Sequence, residues 1–122
     1  NRLPMNLRAK EYLGQIFTVV VDRPMGSRHP EWGHVYPVNY GYIPGRLALD
    51  GELQDAYVLG IGVPLETFTG RCIAIVHRLN DVEDKLIVVA EDGPLLTPEE
   101  IMLQVDFQER YFETILVTDS RP

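Results

Sequence analysis

Cysteine is nearly absent from this chain: Cys72 is the only one. An internal disulfide is therefore excluded, and a reducing compartment, the cytoplasm, is the expected location. Cys72 lies in the apolar run CIAIV, where a small buried thiol is a more natural reading than a nucleophile. Positive charge is scarce too, with 11 Lys and Arg against 18 Asp and Glu and a formal net charge of −7. Nucleic acid is held by clustered cations, so this balance argues against it as a partner. Small phosphates stay open, because a cation can bridge an acidic pocket to an anionic ligand. Long apolar runs are missing as well. Nothing nears the roughly 20 residues needed to cross a bilayer, and NRLPMNLRAKEYL lacks the apolar core of a signal peptide, so no membrane partner is expected.

What is present fits one soluble domain over 1–122, with 45% hydrophobic and 24% charged residues. QIFTVVVD, from Gln15 to Asp22, reads as a strand that stops at Arg23-Pro24, where proline removes a ladder donor. PMGSRHPEWGHVYPVNYGYIPG follows, with prolines and glycines spaced so that no long regular element is expected. Its aromatic residues Trp32, Tyr36, Tyr40 and Tyr42 mark it as an ordered loop that lines a site or packs on the body of the fold. AYVLGIGV, RCIAIVHRL and KLIVVAE then read as three strands, the last two joined by a hairpin turn at NDVED. Thr97-Pro98-Glu99-Glu100 combines an N-cap, a first-position proline and a capping-box glutamate. Ile101, Val105, Gln108 and Phe112 recur on one face behind it, predicting a helix to about Phe112, and ETILVTD offers a last strand. The sum is a mainly β, α+β fold: a small, closed, OB-like antiparallel barrel with a late C-terminal helix.

LDGELQDAY places Asp50, Glu52 and Asp55 within six residues, and NDVEDK adds Asp81 and Asp84. Each stretch alone reads more readily as a solvated turn than as a site, Asp-Gly being a common hairpin link. Both would lie at strand ends, where loops converge, and carboxylates crowded there either protonate or recruit a cation. Oxygen-only donors favour Mg²⁺ over zinc. His29, His34 and His77 follow no zinc spacing. Arg78 reads either as a strand-face charge or as a partner of Asp81.

YPVNYGYI, then DGELQD, NDVEDK and QERYF, together resemble the soluble inorganic pyrophosphatase family in both order and spacing. The resemblance covers most of the chain and points to a compact branch with shortened loops. It implies Mg²⁺-dependent hydrolysis of pyrophosphate, with Asp50, Glu52 and Asp55 as a metal-binding triad and Asp81 and Asp84 completing the metal sites. Asp22 corresponds to a further metal-linked carboxylate. Glu52 and Asp55 are the candidates for binding or deprotonating the attacking water, and Tyr40 joins them as a hydroxyl donor at the reacting phosphate. Lys85, Tyr111 and either Arg23 or Arg28 would hold phosphate oxygens. Family members commonly assemble from several subunits, so a homo-oligomer is implied. The chain departs from the family pattern in three ways: Glu52 replaces an aspartate, the signature proline is missing, and Phe112 replaces a lysine. Two alternatives accompany the leading reading: a metal-dependent hydrolase of another small phosphorylated compound, and an inactive OB-like binding or assembly module.

Overall fold

The computed structural model describes residues 9–48, 51–81, 83–93 and 95–118. A short helix, α1 (Ala9–Tyr12), leads into β1 (Ile16–Arg23), β2 (Asn39–Leu47), β3 (Leu53–Val58), β4 (Thr67–Arg78) and β5 (Asp84–Val89). Helix α2 (Pro98–Glu109) and β6 (Thr114–Thr118) complete the chain. The strands hydrogen-bond in the order β1-β2-β3-β5-β4-β6, and β1 also pairs with β4, closing a five-stranded barrel. The long β4 makes closure possible. Its first half pairs with β1 and its second half with β6, while β5 runs along its other side.

The expected closed barrel with a late helix is what forms, with one seam of a different kind. β3 and β5 pair in parallel, from Ala56 opposite Leu86 to Val58 opposite Val88, so the barrel is mixed and not wholly antiparallel. Strand alternation divides the buried residues into two clusters. Leu86 and Val88 join Val19, Ile43, Ala56 and Ile75 in one, which draws on all five barrel strands. Ile87 and Val89 join Tyr40, Tyr57 and Val76 in the other, together with Ile101 and Val105 of α2.

Three further sequence expectations change. Part of the segment read as loop is β2, paired on both sides. Its glycine serves the packing: a Cβ on Gly41 would overlap the Val20 carbonyl, so the β1–β2 approach requires the bare backbone. The strand expected over AYVLGIGV instead begins at Leu53 and ends at Val58, just before Gly60 takes a φ of 85°. Helix α2 starts as expected, Thr97 Oγ1 accepting from Glu100 N at 3.1 Å and Glu100 Oε1 accepting from Thr97 N at 2.8 Å. It ends at Glu109, short of Phe112, with Ile101, Val105 and Gln108 buried on the expected face.

Candidate active site

Strand alternation that buries Tyr57, Val76 and Ile87 also sets the direction of Asp55, Arg78 and Lys85, each two residues away on the same face. Tyr40 lies in that cluster directly. Two cavities open at this end of the barrel. One, of about 550 Å³, is bordered by Asp22, Tyr42, Glu52, Asp55, Glu83 and Asp84. The other, of about 420 Å³, shares Asp22, Asp55 and Glu83 with it and adds Arg23, Tyr40, Arg78, Asp81 and Lys85. A carboxylate-rich hollow thus adjoins a cation-bearing one.

Opposite charges cross the shared wall. Lys85 Nζ donates to Asp55 Oδ2 at 2.6 Å and to Glu83 Oε1 at 2.7 Å. Lys85 also lies 5.6 Å from the centre of the Tyr40 ring. Burial raises the Tyr40 hydroxyl well above its ordinary pKa, and the negative charge of Asp55 together with the hydrogen bond it accepts raises it further. Desolvation likewise raises the Asp22 carboxyl, an effect partly offset by Arg23 and reinforced by Asp55. Arg78 is held from below by α2: its Nε and Nη2 donate to the buried Glu109 at 2.9 and 2.8 Å. Burial alone would lower the guanidinium's pKa, but the Glu109 contacts outweigh it and keep the pKa above its usual value. Tyr57 Oη donates to the same carboxylate at 2.7 Å.

The two acidic hairpins therefore do meet, though not with every residue expected. Asp22, Glu52, Asp55, Asp81, Asp84, Tyr40, Arg23 and Lys85 border one cavity or the other. Asp50 lies outside the described residues. Arg28 does not line either cavity; its guanidinium donates to Gly33 O at 3.0 Å and braces the loop. Tyr111 is 65% exposed past the end of α2 and also stays apart, whereas Phe112 beside it reaches the second cavity. The Asp84 carboxylate turns to His77 Nδ1 at 2.6 Å. Glu83, which sequence reasoning does not single out, stands beside Asp55 instead. Its signal was available: residues at i and i+2 share a strand face, and Glu83 is two before Lys85. Glu109 carried no comparable sign, since its role depends on the α2 end packing over Arg78.

No family model matches the chain. An inorganic pyrophosphatase from Methanosarcina acetivorans is 34% identical over 115 residues, spanning 75% of this chain and 66% of its own length. The crystal structure of an inorganic pyrophosphatase from Neisseria gonorrhoeae is 27% identical, with a TM-score of 0.57 over 77% of this chain and 71% of that one. The chain belongs to the inorganic pyrophosphatase family. The fold agrees: a pyrophosphatase from Ehrlichia chaffeensis matches with a TM-score of 0.66 over 84% of both chains at 17% identity. The chain spans just under two thirds of the length of the M. acetivorans pyrophosphatase.

The donors here suit a hard divalent ion: carboxylate oxygens from Asp22, Glu52, Asp55 and Glu83 border one cavity, with no sulfur among them. Among the described residues no three His, Cys, Asp or Glu side chains are gathered closely enough to hold a metal ion as they stand. Lys85 accounts for part of that spacing, since its ammonium sits against both Asp55 and Glu83. Both carboxylates are about one third exposed, at 32% and 33%, which leaves them room to turn toward a divalent ion.

Proposed function

We propose that the protein hydrolyses inorganic pyrophosphate to two phosphates with Mg²⁺ as cofactor. The observation that carries this reading is the shared wall: Asp22, Asp55 and Glu83 border both the acidic cavity and the cavity that holds Arg23 and Lys85. Asp22, Glu52, Asp55 and Glu83 would hold Mg²⁺, with Asp50 and Asp81 as further donors. When bound, the ion supplies charge neutralisation and makes water easier to deprotonate. Glu52 and Asp55 orient the attacking water and accept its proton. Arg23 and Lys85 bind phosphate oxygens and stabilise charge on the departing phosphate. Tyr40 adds a hydroxyl donor without adding charge, its pKa being held well above neutrality. The resemblance also favours a cytoplasmic homo-oligomer.

Phosphate release from pyrophosphate with and without Mg²⁺ tests the reading. Turnover should require the ion and fall about a hundredfold or more in Glu52→Gln and Asp55→Asn. Undiminished turnover by both amides, or none by the wild type with Mg²⁺, would overturn it.

A further inference from the structure

The second cavity has an aromatic side that bare pyrophosphate does not need. Trp32 and His29 line it together with Arg23 and Lys85, and Phe112 lines it too. Trp32 is 63% exposed, so it does not serve as core packing, whereas Tyr36 on the same loop is buried at 1%. The indole is nonetheless held in place. Its ring stacks on His29 with centroids 4.7 Å apart and planes 10° from parallel. His29 is fixed in turn, its Nδ1 accepting from Glu31 N and Trp32 N at 3.1 Å each. The loop is pinned by His29 N to His34 O at 2.8 Å and Tyr36 N to Ser27 O at 2.8 Å. Phe112 lies against the Arg78 guanidinium, 3.6 Å from its ring centre, and presents an apolar wall to the same cavity.

A rigid, exposed indole beside cations is a platform for a flat ring attached to phosphates. The cavity volume of about 420 Å³ falls within the rough 300–1,000 Å³ range of small-molecule sites. We propose that this cavity is a subsite for the base of a nucleoside 5′-diphosphate, stacked on Trp32 with the diphosphate directed to Arg23 and Lys85. The inference rests on the hydrolase reading above and extends its substrate class from pyrophosphate to its nucleoside esters. In the reaction, a water oxygen bonds to the terminal phosphorus and that phosphorus parts from the bridging oxygen. The bridging electron pair stays with the nucleoside monophosphate; inorganic phosphate and one proton are released.

The test uses the intact protein, whose single tryptophan is the reporter. ADP should quench Trp32 fluorescence saturably and, by calorimetry with Mg²⁺ present, bind roughly tenfold or more tightly than methyl diphosphate, which carries the same phosphates without a ring. Trp32→Ala should erase that difference. Equal affinities in the wild type, or no quenching by ADP, would overturn the subsite. So would Trp32 emission that shifts with protein dilution alone, because a second copy would then cover the indole. Phosphate release from pyrophosphate, run alongside, separates the two claims. Turnover of pyrophosphate without ADP binding removes the subsite only. ADP binding without turnover of either compound supports the subsite and removes the hydrolase reading.

Discussion

Lys85 Nζ lies 2.6 Å from Asp55 Oδ2, with the Lys85 side chain 4% exposed and the Asp55 side chain 32% exposed. The buried partner is thus the cation, and it also holds Glu83 at 2.7 Å. Removing it takes the ammonium away from Asp55 and leaves Glu83 to Arg78, whose Nη1 lies 3.4 Å from its carboxylate. Lys85→Met should cost about 2 kcal/mol in urea unfolding without divalent ions, less than a fully buried pair because the carboxylates keep some solvent. Added Mg²⁺ should restore much of the loss. Unchanged stability in the variant would mean that the pair contributes nothing to the fold.

Glu109 is the more deeply buried anchor. Its side chain is 1% exposed and that of Arg78 5%. Glu109→Gln preserves shape but strips the nearest of the carboxylate charges on Arg78, leaving Glu83 and Asp81 at 3.4 and 3.7 Å, and should cost about 3 kcal/mol in the same measurement. A loss no larger than that of a surface substitution would contradict the described network.

Gly41 offers a steric test. Gly41→Ala drives a methyl into the Val20 backbone, and the resulting overpacking should cost about 3 kcal/mol or more. Gly62→Ala is the control, since nothing lies within 4 Å of a Cβ there. Equal thermal midpoints for the two variants would refute the close approach of β1 and β2.

Burial pushes the Cys72 thiol up to about 12 from an ordinary 9.0, although hydrogen bonding with Ala74 and Ile87 backbone acts the other way. The native state therefore keeps the proton more tightly than the unfolded chain. The contribution to stability is complete below about pH 9 and is lost as pH rises toward 12. Between these limits the melting temperature should fall more steeply for the wild type than for Cys72→Ala. Parallel slopes would argue that the thiol ionises equally in both states. Below pH 9 the native thiol should also resist alkylation until the protein unfolds.

The elements most legible in the sequence were those whose local chemistry agrees with the tertiary outcome. β1 reads from IFTVVVDR, and the start of α2 from its capping box. β2 is hidden because Gly41, Pro44 and Gly45 resemble loop residues, while their position reflects crowding and a register shift between Ile43 and Leu47. Alternation cannot reveal that β3 pairs in parallel with β5, since partner choice depends on the crossover through β4. In the site, Asp55 and Lys85 were legible as types, but which carboxylate faces Lys85 is decided by strand phase. That phase gives Glu83 to Lys85 and Asp84 to His77.

Calorimetric titration of the protein with Mg²⁺ tests the joined acidic cavity most directly. The account predicts saturable binding that is weakened at least tenfold in both Asp55→Asn and Glu83→Gln, because each removes a carboxylate from the wall between the cavities. Absence of binding to the wild type, or binding by both variants as tight as the wild type's, would contradict it.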